Sequence, residues 1–147
     1  MRRKLNEWFN RYALAEFVGL IFALIFSSIS MLLFGNIVLS AFVATWAENF
    51  GFYGIIVYRD LNQRKKLKNG KKLEIADYAK QLRNAVMEFG PAEYIDSFAI
   101  RPFLLSVLPL LIPNYALAIL VGSLLANITY YIPTIASYEL RKKTFKD

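Results

Sequence analysis

Ten side chains that could bind a proton, hold a cation or hydrogen-bond a solute stand inside stretches that are otherwise apolar. They are Glu16, Glu48, Asn49, Tyr53, Glu93, Asp96, Arg101, Asn127, Tyr130 and Tyr131. A charged group at the centre of a bilayer costs about 2.5–3.5 kcal/mol on insertion scales, so each needs a partner or a task. Four of the ten are carboxylates and one is a guanidinium. Were all ionised, three negative charges would be uncompensated. The set must therefore take up protons, admit water or bind a cation.

Other chemistry is excluded by composition. The 147 residues include no Cys and no His. Thiolate zinc sites, iron–sulfur clusters, His-ligated haem and Ser-His-Asp catalysis all fall away. No glycine-rich phosphate loop is present. No cofactor is expected, and a metal would have to be a hard cation on oxygen ligands.

The elements that must position these residues are hydrophobic segments. The chain is 56% hydrophobic and 20% charged, and the charge is concentrated in three short stretches. A helix needs roughly 20 apolar residues to cross the hydrocarbon. The spacing predicts an all-α integral membrane protein with spans at 12–34, 37–58, 91–112 and 115–138. Gly35-Asn36 and Pro113-Asn114 leave room only for tight turns. The result is a single membrane domain of two helical hairpins, 1–69 and 70–147. At a rise of about 1.5 Å per residue, Glu48, Asn49, Arg101 and Asn127 lie near mid-span. Glu16, Glu93 and Asp96 are shallow.

Every Lys and Arg but Arg101 flanks the spans or lies between the second and the third. By the positive-inside rule both termini and the central loop face the cytoplasm, in what reads as a prokaryotic cytoplasmic membrane. The net charge of +7 then reflects topology and attraction to anionic headgroups, not nucleic-acid binding. The first span is too long for a signal-peptide core and lacks a small-x-small cleavage site, and no lipidation motif follows Met1. Two amphipathic segments are candidates for interfacial helices. One carries Leu5, Trp8, Phe9 and Tyr12 on one face, the other Leu73, Ala76, Ala79, Leu82, Val86 and Phe89. Each is equally readable as an extension of the following span.

The halves resemble one another. A shift of 77 residues superposes Tyr12 on Phe89 and Ala15-Glu16-Phe17 on Ala92-Glu93-Tyr94. A shift of 78 superposes Asn49 on Asn127, Phe52 on Tyr130 and Tyr53 on Tyr131. This is the pattern of a parallel repeat about an axis along the membrane normal.

Small residues in the second span (Ser40, Ala44, Ala47, Gly51, Gly54) and the fourth (Ala118, Gly122, Ala126) form stripes suited to close packing, within one bundle or in a homo-oligomer. Pro102, Pro109 and Pro133 interrupt the last two spans. Arg101 is placed to pair with Glu48 or Asp96, and Glu93 and Asp96, one turn apart, share a helical face.

The leading expectation is a small transporter or permease-like protein for a cationic or proton-coupled solute. A cytoplasmic vestibule of Glu16, Glu93 and Asp96 would lead to Glu48, Asn49, Arg101 and Asn127, lined by Tyr53, Tyr130 and Tyr131. A non-catalytic accessory or scaffold subunit, docked on a membrane partner or anionic lipid, is the alternative. A carboxylate-dependent lipid-modifying enzyme comes third.

Overall fold

The computed structural model describes residues 2–67 and 73–144. Lys68, Lys71, Lys72 and Lys146 of the basic segments lie outside the described residues, as does the side chain of Leu5. No strand occurs among those described. The order is α1 (Arg2–Phe34), α2 (Ile37–Leu67), α3 (Ile75–Ile95), a π turn (Asp96–Ile100), α4 (Arg101–Leu111) and α5 (Tyr115–Thr144). Three helical stretches are long and apolar enough to cross a membrane: Trp8–Phe34, Ala92–Leu111 and Tyr115–Arg141. They suggest a membrane protein. The stretch of α2 interrupted by Glu48-Asn49 is not among them.

The turns are built as their residues dictate. Gly35 sits at φ +60°, the left-handed conformation that lets the chain leave α1. Asn36 Oδ1 then caps α2 by accepting from Leu39 N at 3.0 Å. Asn114 Oδ1 caps α5 in the same way through Leu117 N, also at 3.0 Å. Ile112, before Pro113, is extended and ends α4.

α1 and α2 run antiparallel in the most extensive packing of the fold. Their closest approach is Gly19 on Gly51, where a Cβ on Gly51 would lie 3.0 Å from Gly19 Cα. Ser40, Ala44 and Gly51 of the small-residue stripe are buried inside the chain, whereas Gly54 faces open space. On the other side, α5 packs on α3 and α4, with Gly122 tight against Leu105. The two pairs are joined chiefly where α2 packs on α4; the seams of α1 with α5 and of α2 with α3 are sparse.

Neither amphipathic segment is a separate interfacial helix. The first is the opening of α1, where Trp8, Phe9 and Tyr12 line one groove, Phe9 72% exposed and Tyr12 5%. The second runs unbroken through α3, with its amphipathy reversed relative to the bundle. Asp77, Gln81, Asn84 and Glu88 are buried, while Leu82 and Val86 are 67% and 60% exposed. The reversal follows from the partners that the inward groups find on α1, α2 and α5.

Candidate functional site

The π turn shapes the centre of the site. Arg101 N bonds to Asp96 O, five residues back, so the helix takes in one extra residue just before Pro102. In an α-helix, side chains five apart point to different faces. The wider turn brings Asp96 and Arg101 together, and Arg101 Nε donates to Asp96 Oδ2 at 2.6 Å.

Arg101 also donates through Nη1 to Glu48 and through Nη2 to Asn127 Oδ1 at 2.7 Å. Glu48 Oε2 accepts from Ser123 Oγ at 2.7 Å. One guanidinium thus joins both candidate acids and ties α2, the π turn, α4 and α5. Arg101, Glu48 and Asp96 are all buried. Asp96 Oδ1 is buried without a hydrogen-bond partner, so this three-residue cluster carries one carboxylate more than its guanidinium neutralises.

Glu16 and Glu93 are held differently. Asn127 Nδ2 donates to Glu16 Oε1 and Tyr131 Oη to Glu16 Oε2. Asn49 Nδ2 donates to Glu93 Oε1 at 2.6 Å, and Tyr53 Oη donates to Glu93 Oε2. Ser97 Oγ is a further donor to Glu93. Both carboxylates have neutral partners only. Both contacts cross a sparse seam, Glu16 from α1 to α5 and Glu93 from α3 to α2. Tyr53 and Tyr130 meet hydroxyl to hydroxyl at 2.9 Å.

Seven of the ten residues named from the sequence line one small cavity: Glu16, Glu48, Asn49, Tyr53, Arg101, Asn127 and Tyr130. Gly19 and Phe52 complete it, and it has room for about one water molecule. Glu93 and Asp96 join through their hydrogen bonds, and Tyr131 through Glu16. Glu93 and Asp96 take different partners: Glu93 turns to α2, and Asp96, where the π turn starts, turns to Arg101. Tyr12, Phe52, Phe89 and Tyr130 pack into an aromatic layer over the cavity, with Tyr12 stacked on Phe52 at 6.3 Å between ring centres.

Beyond that layer lies a second polar cluster that sequence reasoning missed. Arg11 binds Asp60 through two nitrogens, at 2.9 and 3.0 Å, and Glu88 through two contacts at 3.0 Å. Tyr12 Oη and Arg141 Nη2 also donate to Glu88, at 2.7 and 3.2 Å. Gln81 Nε2 donates to Asp60 at 2.8 Å. From the sequence, Arg11 and Arg141 read as topology signals alone. Their only distinguishing sign in the sequence was proximity to an apolar segment. Ser97 and Ser123 were missed too, being indistinguishable from other small helix residues.

No protein-family model matches this chain, and no curated protein or solved structure is significantly similar to it.

Proposed function

We propose that this chain is a small transporter of a cationic or proton-coupled solute in a cell membrane, with α2 as a fourth span. Both termini and the basic segment after α2 would lie on the cytoplasmic side of a prokaryotic cytoplasmic membrane. The observation that carries the reading is the unequal treatment of the four acids. Glu48 and Asp96 are committed to Arg101, whereas Glu16, which lines a water-sized cavity, and Glu93, bonded to Asn49 and Tyr53 of its lining, have only neutral hydrogen-bond donors. Neutral donors orient a carboxylate without cancelling its charge. That leaves two carboxylates able to exchange a proton for a cationic group. α2 carries its polar residues inward onto Arg101, so its low apolarity is compatible with crossing.

The mirrored contacts support an internal repeat. Glu16, Asn127 and Tyr131 reproduce Glu93, Asn49 and Tyr53 with the halves exchanged, as expected for a parallel duplication about a two-fold axis. A second reading, an accessory subunit whose polar residues only hold helices together, draws support from the cavity's small size. Most of the small-residue stripes are buried within the chain, and Gly54 is left on the surface.

Proton release separates the readings. Guanidinium is added to the purified protein in lightly buffered detergent with a pH indicator. Saturable release from wild type, lost in Glu16→Gln/Glu93→Gln while thermal unfolding remains cooperative, supports transport. No release from wild type refutes it and favours the accessory subunit.

A further inference from the structure

The sparse seam between α1 and α5 is open on its outer side. A groove of about 540 Å³ runs along it, within the range of small-molecule sites. Trp8, Phe9, Phe17, Leu20 and Ile135 contribute its walls, and Glu16 and Tyr131 also line it. Glu16 lines the inner cavity as well. Glu16 is thus the residue common to both linings, its carboxylate oxygens held by Asn127 and Tyr131. Trp8 Nε1 donates to Glu139 at 3.3 Å, a further contact across the seam from α1 to α5.

A second groove of about 460 Å³ lies on the outer face of α1 and α2. Phe22, Phe26, Phe42, Trp46 and Phe50 line it, and no ionisable side chain does. The two grooves are alike in size and apolarity and differ in the carboxylate.

We propose that the α1–α5 groove is a membrane-side entrance and binding site for an amphiphilic cation, a quaternary or protonated amine on an alkyl or aryl body. The cationic head pairs with Glu16, which has no cationic partner of its own, and the body lies against the apolar walls. Charge complementarity selects this occupant over a neutral acyl chain. The rings of Trp8, Phe9 and Phe17 offer electron-rich faces to an ammonium group. Binding would replace the Asn127 and Tyr131 contacts that bridge the seam and so open the way to the cavity. The proposal rests on the transport reading and adds its substrate class and route.

Each groove carries one of the chain's two tryptophans. Trp46→Phe leaves Trp8 as the reporter of the acidic groove, and Trp8→Phe leaves Trp46 as the reporter of the other. Both variants, in phosphatidylcholine nanodiscs, are titrated with a bromoalkyl-trimethylammonium ion and with the matching uncharged bromoalkyl alcohol. The expected result is saturable quenching of Trp8 by the cation, at roughly tenfold lower concentration than by the alcohol, the scale of one charge pair. Trp46 should show only linear partitioning. Glu16→Gln should bring the cation to the level of the alcohol. Ala13→Phe, which fills the groove without altering the Glu16 contacts, should remove saturation even if Glu16→Gln fails to fold. Equal quenching by cation and alcohol, or saturation that survives both substitutions, would overturn the proposal and leave an ordinary lipid-filled groove. If proton release by guanidinium persists, the transport reading stands without this entrance; if release is also absent, both fall.

Discussion

Replacing Arg101 with Met tests the centre of the site most severely. Met approximates the aliphatic stem and suits a helix, so the principal loss is the guanidinium. Arg101 is 3% exposed and donates to Glu48, Asp96 and Asn127. Its removal strands two buried carboxylates, and breaking a buried pair from one side costs about 3–5 kcal/mol. Glu48→Gln behaves differently. It leaves Arg101 opposite Asp96, one charge against one, with the amide oxygen still able to accept from Arg101 and the amide nitrogen able to donate to Ser123 Oγ. The loss is then the difference between a charged and a neutral hydrogen bond, about 1–2 kcal/mol. In the double variant Glu48→Gln removes one of the stranded carboxylates, so the two effects should fall short of additivity by about 2 kcal/mol. The assay is unfolding in mixed micelles of rising dodecyl sulfate fraction, followed by tryptophan fluorescence. A cost for Arg101→Met below about 1 kcal/mol, or additivity within about 0.5 kcal/mol, would refute the buried triad.

Three further outcomes follow from the same structure. Gly51→Val should destabilise by about 1–3 kcal/mol, because its side chain meets the α1 backbone at Gly19, whereas Gly54→Ala should be neutral or stabilising; thermal melts of the two variants check this. Tyr53→Phe and Tyr131→Phe should each lose about 1.5–3 kcal/mol, Tyr53→Phe somewhat more because its hydroxyl also meets Tyr130; a loss below about 0.5 kcal/mol for either in the same unfolding assay would count against equivalent carboxylate sites. The absence of Cys makes topology directly measurable: Phe34→Cys should react with an impermeant maleimide from outside intact cells and Lys65→Cys only after permeabilisation, and labelling of both from one side would show that α2 does not cross.

Much was legible from residue type and spacing alone. Apolar runs of about 20 residues, punctuated by Gly35-Asn36 and Pro113-Asn114, imposed an all-helical chain, because a capping Asn and a left-handed Gly end helices through local forces. The identity of the polar site was legible too. Ionisable and amide side chains in apolar segments are costly enough that their presence alone marks them, and Glu16, Glu48, Arg101 and Asn127 do line one cavity. The matching Ala-Glu-aromatic and Asn-x-x-aromatic-Tyr segments were visible as strings.

What spacing could not supply was the assignment of partners, which depends on contacts across the bundle. An i, i+3 rule pairs Glu93 with Asp96, but the π turn that follows brings Arg101 round to Asp96, while Glu93 finds its donors on α2 and Ser97. A hydropathy profile puts the polar face of α3 in water. Arg11, Arg64 and Arg141 instead draw Glu88 and Gln81 inward and leave Leu82 and Val86 outside. A stripe of small residues treats Gly51 and Gly54 alike, yet only Gly51 meets Gly19, which lies 32 positions earlier in the chain. Local sequence determined the helices, their ends and the chemistry they carry; long-range ion pairs and the close approach of backbones decided which carboxylates are neutralised and which remain available.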